Sequence, residues 1–253
     1  MEPKLIFLGT GTSQGVPVIG CRCAVCNSTD LRDNRLRTSV YMEYKGQRLL
    51  VDAGPDFRQQ LLRAHIDNLD AILLTHQHKD HIAGLDDVRA FNYINRKAVD
   101  IYAEERVEEA LKVEFGYAFE EKRYPGIPEF ALHTIDENPF MIGEVEVIPI
   151  RVWHANLPIL GFRIADLAYI TDASHIEDAE FDKLTNLSVL VLNAVRRKPH
   201  VSHFTLAEAI EVAKRVGATQ TYLTHMSHQM GLHADIDKML PAGISLAYDG
   251  LRV

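Results

Sequence analysis

Cysteine is scarce in this 253-residue chain, and all three cysteines, Cys21, Cys23 and Cys26, fall within six residues. An odd count packed that tightly excludes a disulfide framework, since bridges at such spacing are strained and one thiol is left over. No apolar run approaches the roughly 20 residues that a membrane helix needs. A strand pattern begins at Lys4-Leu5-Ile6-Phe7-Leu8, so neither a signal peptide nor a transit peptide is expected, and the expected location is cytoplasmic. Basic blocks are missing too, apart from Arg196-Arg197-Lys198. With 27 Lys and Arg against 35 Asp and Glu, the net charge of −8 argues against the basic face that grips long nucleic acid. No linker or low-complexity tract interrupts the chain, and one domain over residues 1–253 is expected.

What the chain does have is a concentration of ligating side chains. Ala71-Ile72-Leu73-Leu74 reads as a buried strand, and it delivers Thr75-His76-Gln77-His78-Lys79-Asp80-His81 into a loop. Three imidazoles and a carboxylate within six residues form a donor set that borderline divalent ions prefer. His76 and His78, two apart, point the same way on an extended backbone. Asp80 and His81 follow the bend and are free to face a second ion.

His-x-His-x-Asp-His after an apolar strand resembles the signature of the metallo-β-lactamase superfamily. Other segments match it in order. Leu49-Leu50-Val51-Asp52-Ala53-Gly54 resembles the strand and turn carrying a supporting aspartate. His154 in Val152-Trp153-His154, Asp172 in Tyr169-Ile170-Thr171-Asp172 and His225 in Tyr222-Leu223-Thr224-His225 match the remaining ligands. The resemblance implies an α/β fold, the four-layer αββα sandwich, with one ion held by His76, His78 and His154. Asp80, His81 and His225 would hold the other, Asp172 would bridge, and Asp52 would orient a ligand imidazole.

The secondary-structure pattern is compatible with that sandwich. Strands are expected near 4–8, 38–44, 48–52, 71–75, 99–103, 145–152, 159–164, 167–171, 188–193, 220–224 and 244–248. Helices are expected near 56–64, 104–118 and 205–215, while 119–143, with Pro125, Pro128 and Pro139, reads mostly as loop. Gly9-Thr10-Gly11-Thr12-Ser13-Gln14-Gly15 suggests a dinucleotide fingerprint, but Gln14 stands where that motif needs glycine, and Pro17 follows where it needs a helix. A turn near the edge of the site is the better reading.

Three thiolates nearly complete a tetrahedral zinc site. His228, three residues past His225, is the candidate fourth ligand, with His233 a weaker competitor. Cys-x-Cys-x-x-Cys near one end and Thr-His-x-x-His near the other resemble the phosphonate-pathway cyclic phosphodiesterases, the PhnP-like family. In such phosphodiesterases the general acid sits in a His-x-Thr loop, which His203-Phe204-Thr205 fits and His200 does not. His65 and His133 have no partner motif and are expected in structural roles; His175, three residues past Asp172, is a candidate for supporting a ligand but is not expected to do so.

The resemblance implies a phosphoric diester hydrolase with two catalytic ions, zinc or manganese, and one structural zinc. Such a pair shares a hydroxide and steadies both attacking and leaving oxygens. Asp80, Asp172 and His203 are the expected catalytic groups. The expected substrate is a small, cyclic phosphodiester, with no membrane partner, no nucleic acid beyond nucleotides, and a homodimer as the candidate assembly. A tRNA 3′-processing endonuclease and a thioesterase or lactonase are the alternatives within the superfamily.

Overall fold

Alternation along the first strand decides which way the molecule buries its surfaces. Leu5 and Phe7 point into one apolar layer and Ile6 and Leu8 into another. Both faces of the strand are covered, which is why it reads as a continuous apolar run. The computed structural model describes residues 2–120 and 126–253. Strands β1 (Lys4–Gly9), β2 (Ser39–Tyr44), β3 (Gln47–Val51), β4 (Ala71–Leu73), β5 (Val99–Ala103) and β6 (Phe130–Thr134) form one sheet in that spatial order. It is antiparallel up to β3 and parallel from β3 onward.

The second sheet holds β7 (Phe140–Ile142), β8 (Val145–His154), β9 (Leu157–Ile164), β10 (Leu167–Ile170), β11 (His175–Ile176), β12 (Val189–Asn193), β13 (Gln220–Thr224) and β14 (Ile244–Leu246). Its order is β11-β8-β9-β10-β12-β13-β14, with β7 also beside β8, and β10, β12, β13 and β14 run parallel. Leu49, Val51 and Leu73 from the first sheet meet Leu160, Phe162 and Tyr169 from the second in the layer between them. Outside the first sheet lie α1 (Phe57–Ala64) and α4 (Glu105–Glu114), which bury Phe57, Leu61, Val107 and Leu111 against Leu50 and Ile72. Outside the second lies α6 (Leu206–Val216), which buries Ala209 and Ala213 against Leu190, Leu192 and Leu223. The result is the expected αββα sandwich. Truncating one of these fully buried leucines to alanine costs about 2–5 kcal/mol.

Several expectations need correcting. The stretch 119–143 holds β6 and β7 among its described residues; Pro125 lies outside them. Prolines at 128 and 139 flank these strands without entering them, and β6 owes its register to parallel pairing with β5, from Val99↔Phe130 to Ala103↔Thr134. The single helix expected over 104–118 breaks at Phe115, whose ψ of 38° leaves the helical range, and resumes as the four-residue helix Gly116–Phe119. Another helix, Arg89–Asn95, has no periodic signature because Phe91 is buried while Tyr93 and Ile94 stand in solvent. Strand β4 ends at Leu73, so Leu74 and Thr75 already belong to the descent into the site.

Candidate metal centre

The carboxyl ends of parallel strands open on one edge of the sandwich, the place where such sheets bind ligands. Asp52 follows β3, His154 closes β8, Asp172 follows β10 with Thr171 between, and His225 follows β13. The segment after β4 turns into the short helix Lys79–Ile82, which carries Asp80 and His81. Asp52, Asp172 and His225 are all left-handed, with φ of 63°, 59° and 57°. Non-glycine residues held there signal a backbone constrained by its surroundings. Gly54 lets the loop after β3 press against that helix, since a Cβ at this position would lie 2.0 Å from the Asp80 carbonyl oxygen.

Asp52 organises the centre from beneath. It is fully buried, accepts from the Thr75 amide and hydroxyl at 2.9 Å, and takes the Nδ1–H of His81 at 2.7 Å. Because the Thr75 hydroxyl donates to Asp52, its oxygen accepts from His76 Nδ1 at 2.9 Å. One carboxylate thereby orients two imidazoles, directly and through a hydroxyl. The Nδ1–H of His154 donates to the backbone carbonyls of Asp172 and Ser202, at 2.8 and 2.9 Å. In all three rings the hydrogen bond at Nδ1 leaves the Nε2 lone pair for another partner.

Those lone pairs converge. His76, His78 and His154 turn their rings to one another, with centroids 4.6, 5.1 and 5.7 Å apart. Asp80, His81, Asp172 and His225 each offer a ligand atom within 4.8 Å of the others. Asp172 faces both groups: its carboxylate lies within 4.8 Å of a His154 ring nitrogen, Oδ2 lies 3.4 Å from His81 Nε2, and Oδ1 lies 3.1 Å from His225 Nε2 and 3.0 Å from His203 Nε2. Among the described residues, Nε2 of His76, His81 and His225 is buried without a hydrogen-bond partner. Unpaired buried nitrogens aimed at two carboxylates are a poor hydrogen-bonding arrangement and a fitting one for divalent cations.

Electrostatics point the same way. Burial opposes charge on His225, but Asp172 beside it prevails and lifts its pKa to about 9. For Asp172 burial is again outweighed, and the imidazoles of His225 and His81 hold its carboxyl well below the usual range. In His76, desolvation wins and lowers the pKa. The pocket therefore gathers positive charge around Asp172, as protons or as metal.

His203 sits at the rim of this cluster, its side chain 11% exposed. Phe204 anchors it: the amide donates to Ala173 O at 2.7 Å and the carbonyl accepts from Val195 at 3.0 Å. Thr205 then caps α6 in a reciprocal box with Glu208. On its other side, His203 Nδ1 is 3.2 Å from His200 Nδ1 and 3.0 Å from Ser202 Oγ. Burial pushes the His203 pKa down to about 4, and that of His200 is also lowered, by burial and then by the charge of Arg196.

The cysteines converge elsewhere. Cys21 Sγ and Cys23 Sγ lie 3.3 and 3.4 Å from His228 Nδ1, and the four ligand atoms of Cys21, Cys23, Cys26 and His228 fall within 4.8 Å of one another. The Cys26 amide donates to Cys23 Sγ and, with His228, lowers the Cys23 pKa to about 6; desolvation raises that of Cys26 to about 11. One readily formed thiolate among three sulfurs and an imidazole suits a closed zinc site. The glycine-rich turn braces the same region, since Met226 donates to Thr10 O and Thr12 donates back to Met226 O.

Residues 47–226 match the model of the Beta-lactamase superfamily domain. The chain belongs to the metallo-β-lactamase superfamily. Within it, the chain resembles the crystal structure of a diphosphatase of the PhnP family, at 43% identity and a TM-score of 0.94, over all of this chain and 97% of that one. Ribonuclease Z of Pyrobaculum neutrophilum is 25% identical over 88% of this chain and 86% of its own length. An octanoyltransferase of Porphyromonas gingivalis is 42% identical over 98% of this chain but only 51% of its own length, so the chain spans about half of that protein. Superfamily membership fits the clustered donors of the centre, which are of the kind that hold divalent metal ions. Among the described residues no helix is long and apolar enough to cross a membrane.

The fold thus brings together every superfamily ligand position identified in the sequence, and it brings His228 to the cysteines. His233 lies apart from them; its Nδ1 accepts from Arg35 Nη2 at 3.0 Å. His65 ends α1 in the left-handed range, His133 pairs with Asp100, and His175 lies by Glu177. Sequence reasoning missed three groups: Thr75 as the relay between Asp52 and His76, the Ser202 carbonyl on His154, and His200 against His203. Thr75 adjoins the motif and could have been suspected. A carbonyl has no sequence signature, and His200 reaches His203 only because the loop doubles back.

Proposed function

We propose that this superfamily hydrolase cleaves small phosphodiesters, cyclic ones among them, in the cytoplasm, using two divalent catalytic ions, zinc or manganese, beside one structural zinc. His76, His78 and His154 would hold one catalytic ion, Asp80, His81 and His225 the other, and Asp172 both. Bound there, the ions supply Lewis acidity, lowering the pKa of water toward about 7 and neutralising charge on phosphoryl oxygens. The protein's part is orientation and proton handling. Asp52 and Thr75 keep the imidazoles of His81 and His76 turned inward. Asp80 and Asp172 are the only carboxylates among the seven donors, which leaves the loaded centre positive and suited to an anionic substrate.

The observation that carries the reading is the position of His203, with Nε2 3.0 Å from Asp172 Oδ1 at the rim of the cluster. A departing alkoxide needs a proton, and this imidazole is placed to hold one. Its low pKa in the bare protein follows from burial; a phosphodiester anion seated beside it would draw the value up. The reading is supported by the relatives, since diphosphatase and ribonuclease both name cleavage at phosphate.

The test compares leaving groups. General acid catalysis is worth about 10²–10⁴-fold, and a nitrophenolate departs without it. H203A should therefore depress turnover of a 2′,3′-cyclic nucleotide far more than turnover of a nitrophenyl phosphodiester, with metal content unchanged. Equal losses on both substrates would remove His203 from the acid role. Rapid hydrolysis of acyl thioesters without phosphodiesterase activity would overturn the whole reading.

A further inference from the structure

Two of the three donors assigned to one catalytic ion, His76 and His78, lie on the segment after β4, and the third, His154, ends β8 where the chain turns into β9. These segments belong to different sheets. The spacing of the donors therefore depends on what ties one sheet to the other at this edge. Ahead of His76, the Leu160 amide of β9 donates to the Thr75 carbonyl at 3.2 Å. The rings of His76 and His154 are each held at Nδ1. His78 is exposed, and among the described residues its ring has no hydrogen bond.

What holds His78 is its neighbour. Arg106 Nη1 donates to Gln77 Oε1 at 3.2 Å, and Arg106 Nη2 donates to the carbonyl oxygen of Pro158 on β9. Pro158 pairs with Trp153, the residue before His154. One guanidinium thus reaches both the loop carrying His78 and the hairpin carrying His154. Its planar fork presents N–H groups at fixed angles, which suits it to holding two segments at a set distance.

Arg106 is otherwise poorly placed. It stands in the first turn of α4, the end of a helix that disfavours a cation. Glu104, which caps that helix, keeps it there by accepting from Nε and Nη2 at 3.2 and 2.8 Å. Glu104 also accepts from Arg151 Nη2 at 2.5 Å, and Arg151 lies on β8 three residues before His154. Burial raises the pKa of Glu104, but Arg151 and Arg106 outweigh it and hold the carboxyl below its usual range. The carboxylate is therefore charged, and it aims the fork.

We propose that Arg106 is a positioning residue for His78: through Gln77 it sets the separation of His78 from His154, and with it the affinity of the ion assigned to His76, His78 and His154. The proposal rests on the two-ion reading of the centre. The other ion should be indifferent to Arg106, since among the described residues none of Asp80, His81, Asp172 and His225 bonds to Arg106 or to Gln77.

The test is chelator competition on the zinc-loaded full chain, which gives an affinity for each ion. H78A, H225A and C23S each lack a donor of one ion only and assign the steps. Q77A leaves Arg106 on Glu104 and severs only the link to the loop. It should weaken the ion of His76, His78 and His154 about 10-fold, the low end for losing an outer hydrogen bond. The ion of His81 and His225 should be unaffected, and the melting temperature should stay at the wild-type value. R106A should show the same selective loss, with a lower melting temperature because Glu104 loses a partner. Equal weakening of both catalytic ions in Q77A would mark a structural role only and overturn the proposal. Wild-type affinities in Q77A and R106A alike would overturn it too. If H78A and H225A shift one and the same step, the two-ion reading fails, and the selectivity proposed here fails with it.

Discussion

The buried histidine–aspartate centre and the cysteine cluster touch the same short segment, since His225 belongs to one and His228, three residues later, to the other. They are built on different principles. The buried centre takes its side chains from the ends of five strands in both sheets, and hydrogen bonds orient most of its imidazoles. The cysteine cluster takes three ligands from one loop, half-buried, held by the amides of Cys26 and Val18 and by His228. The first is a consequence of the sandwich and should survive loss of its ions. The second gives a loop its shape and should not.

The largest break in this comparison is expected from Asp172→Ala. It removes the carboxylate that reaches His154 as well as His81 and His225, so activity should vanish and catalytic metal should fall from about two ions per chain. Elemental analysis and circular dichroism check it; an unchanged metal count would end the two-ion reading. Asp52→Asn keeps the shape beneath His81 but not the charge, and metal affinity should weaken about 10–100-fold. Chelator competition measures that. Cys23→Ser should do the converse: a stability loss of about 2–3 kcal/mol, roughly 5–10 °C at this chain length, with the two catalytic ions largely retained. Wild-type thermal stability in that variant would refute the structural zinc.

The smallest effect belongs to His233, which touches neither set of ligands. Burial, and then Arg35, holds its pKa at about 4, because the neutral ring accepts the arginine's hydrogen bond. A histidine depressed below its unfolded value of about 6.5 stabilises fully above that pH and loses its contribution as pH falls toward 4. Melting temperatures of the native protein should therefore drop more steeply over that interval than those of His233→Gln, which keeps an acceptor without the titration. Parallel curves would refute it.

Much of the centre was legible because each ligand follows a short apolar strand, and the strands fix their order along the sheet edge. The αββα arrangement was implied by the superfamily resemblance, and the strand pattern is compatible with it. What stayed hidden was made by pairing in space. Strand β6 needs β5 beside it, and Phe130–Thr134 between proline-rich turns has no alternation of its own. The contact of His200 with His203 depends on Phe204 pinning the loop between Ala173 and Val195.

The left-handed backbone at Asp52, Asp172 and His225 limits which sequences can occupy this scaffold. Asparagine, aspartate and histidine are the non-glycine residues that best tolerate that conformation, and two of those three are also metal donors. Glutamate or cysteine at the same positions would bring a competent donor atom on a backbone unsuited to it. Ligand exchange that is easy on paper, toward a softer or a longer-armed donor, is thus resisted by geometry before coordination is considered. A lineage built on this scaffold could vary its loops and its substrates widely while its donor types at these turns stayed nearly constant.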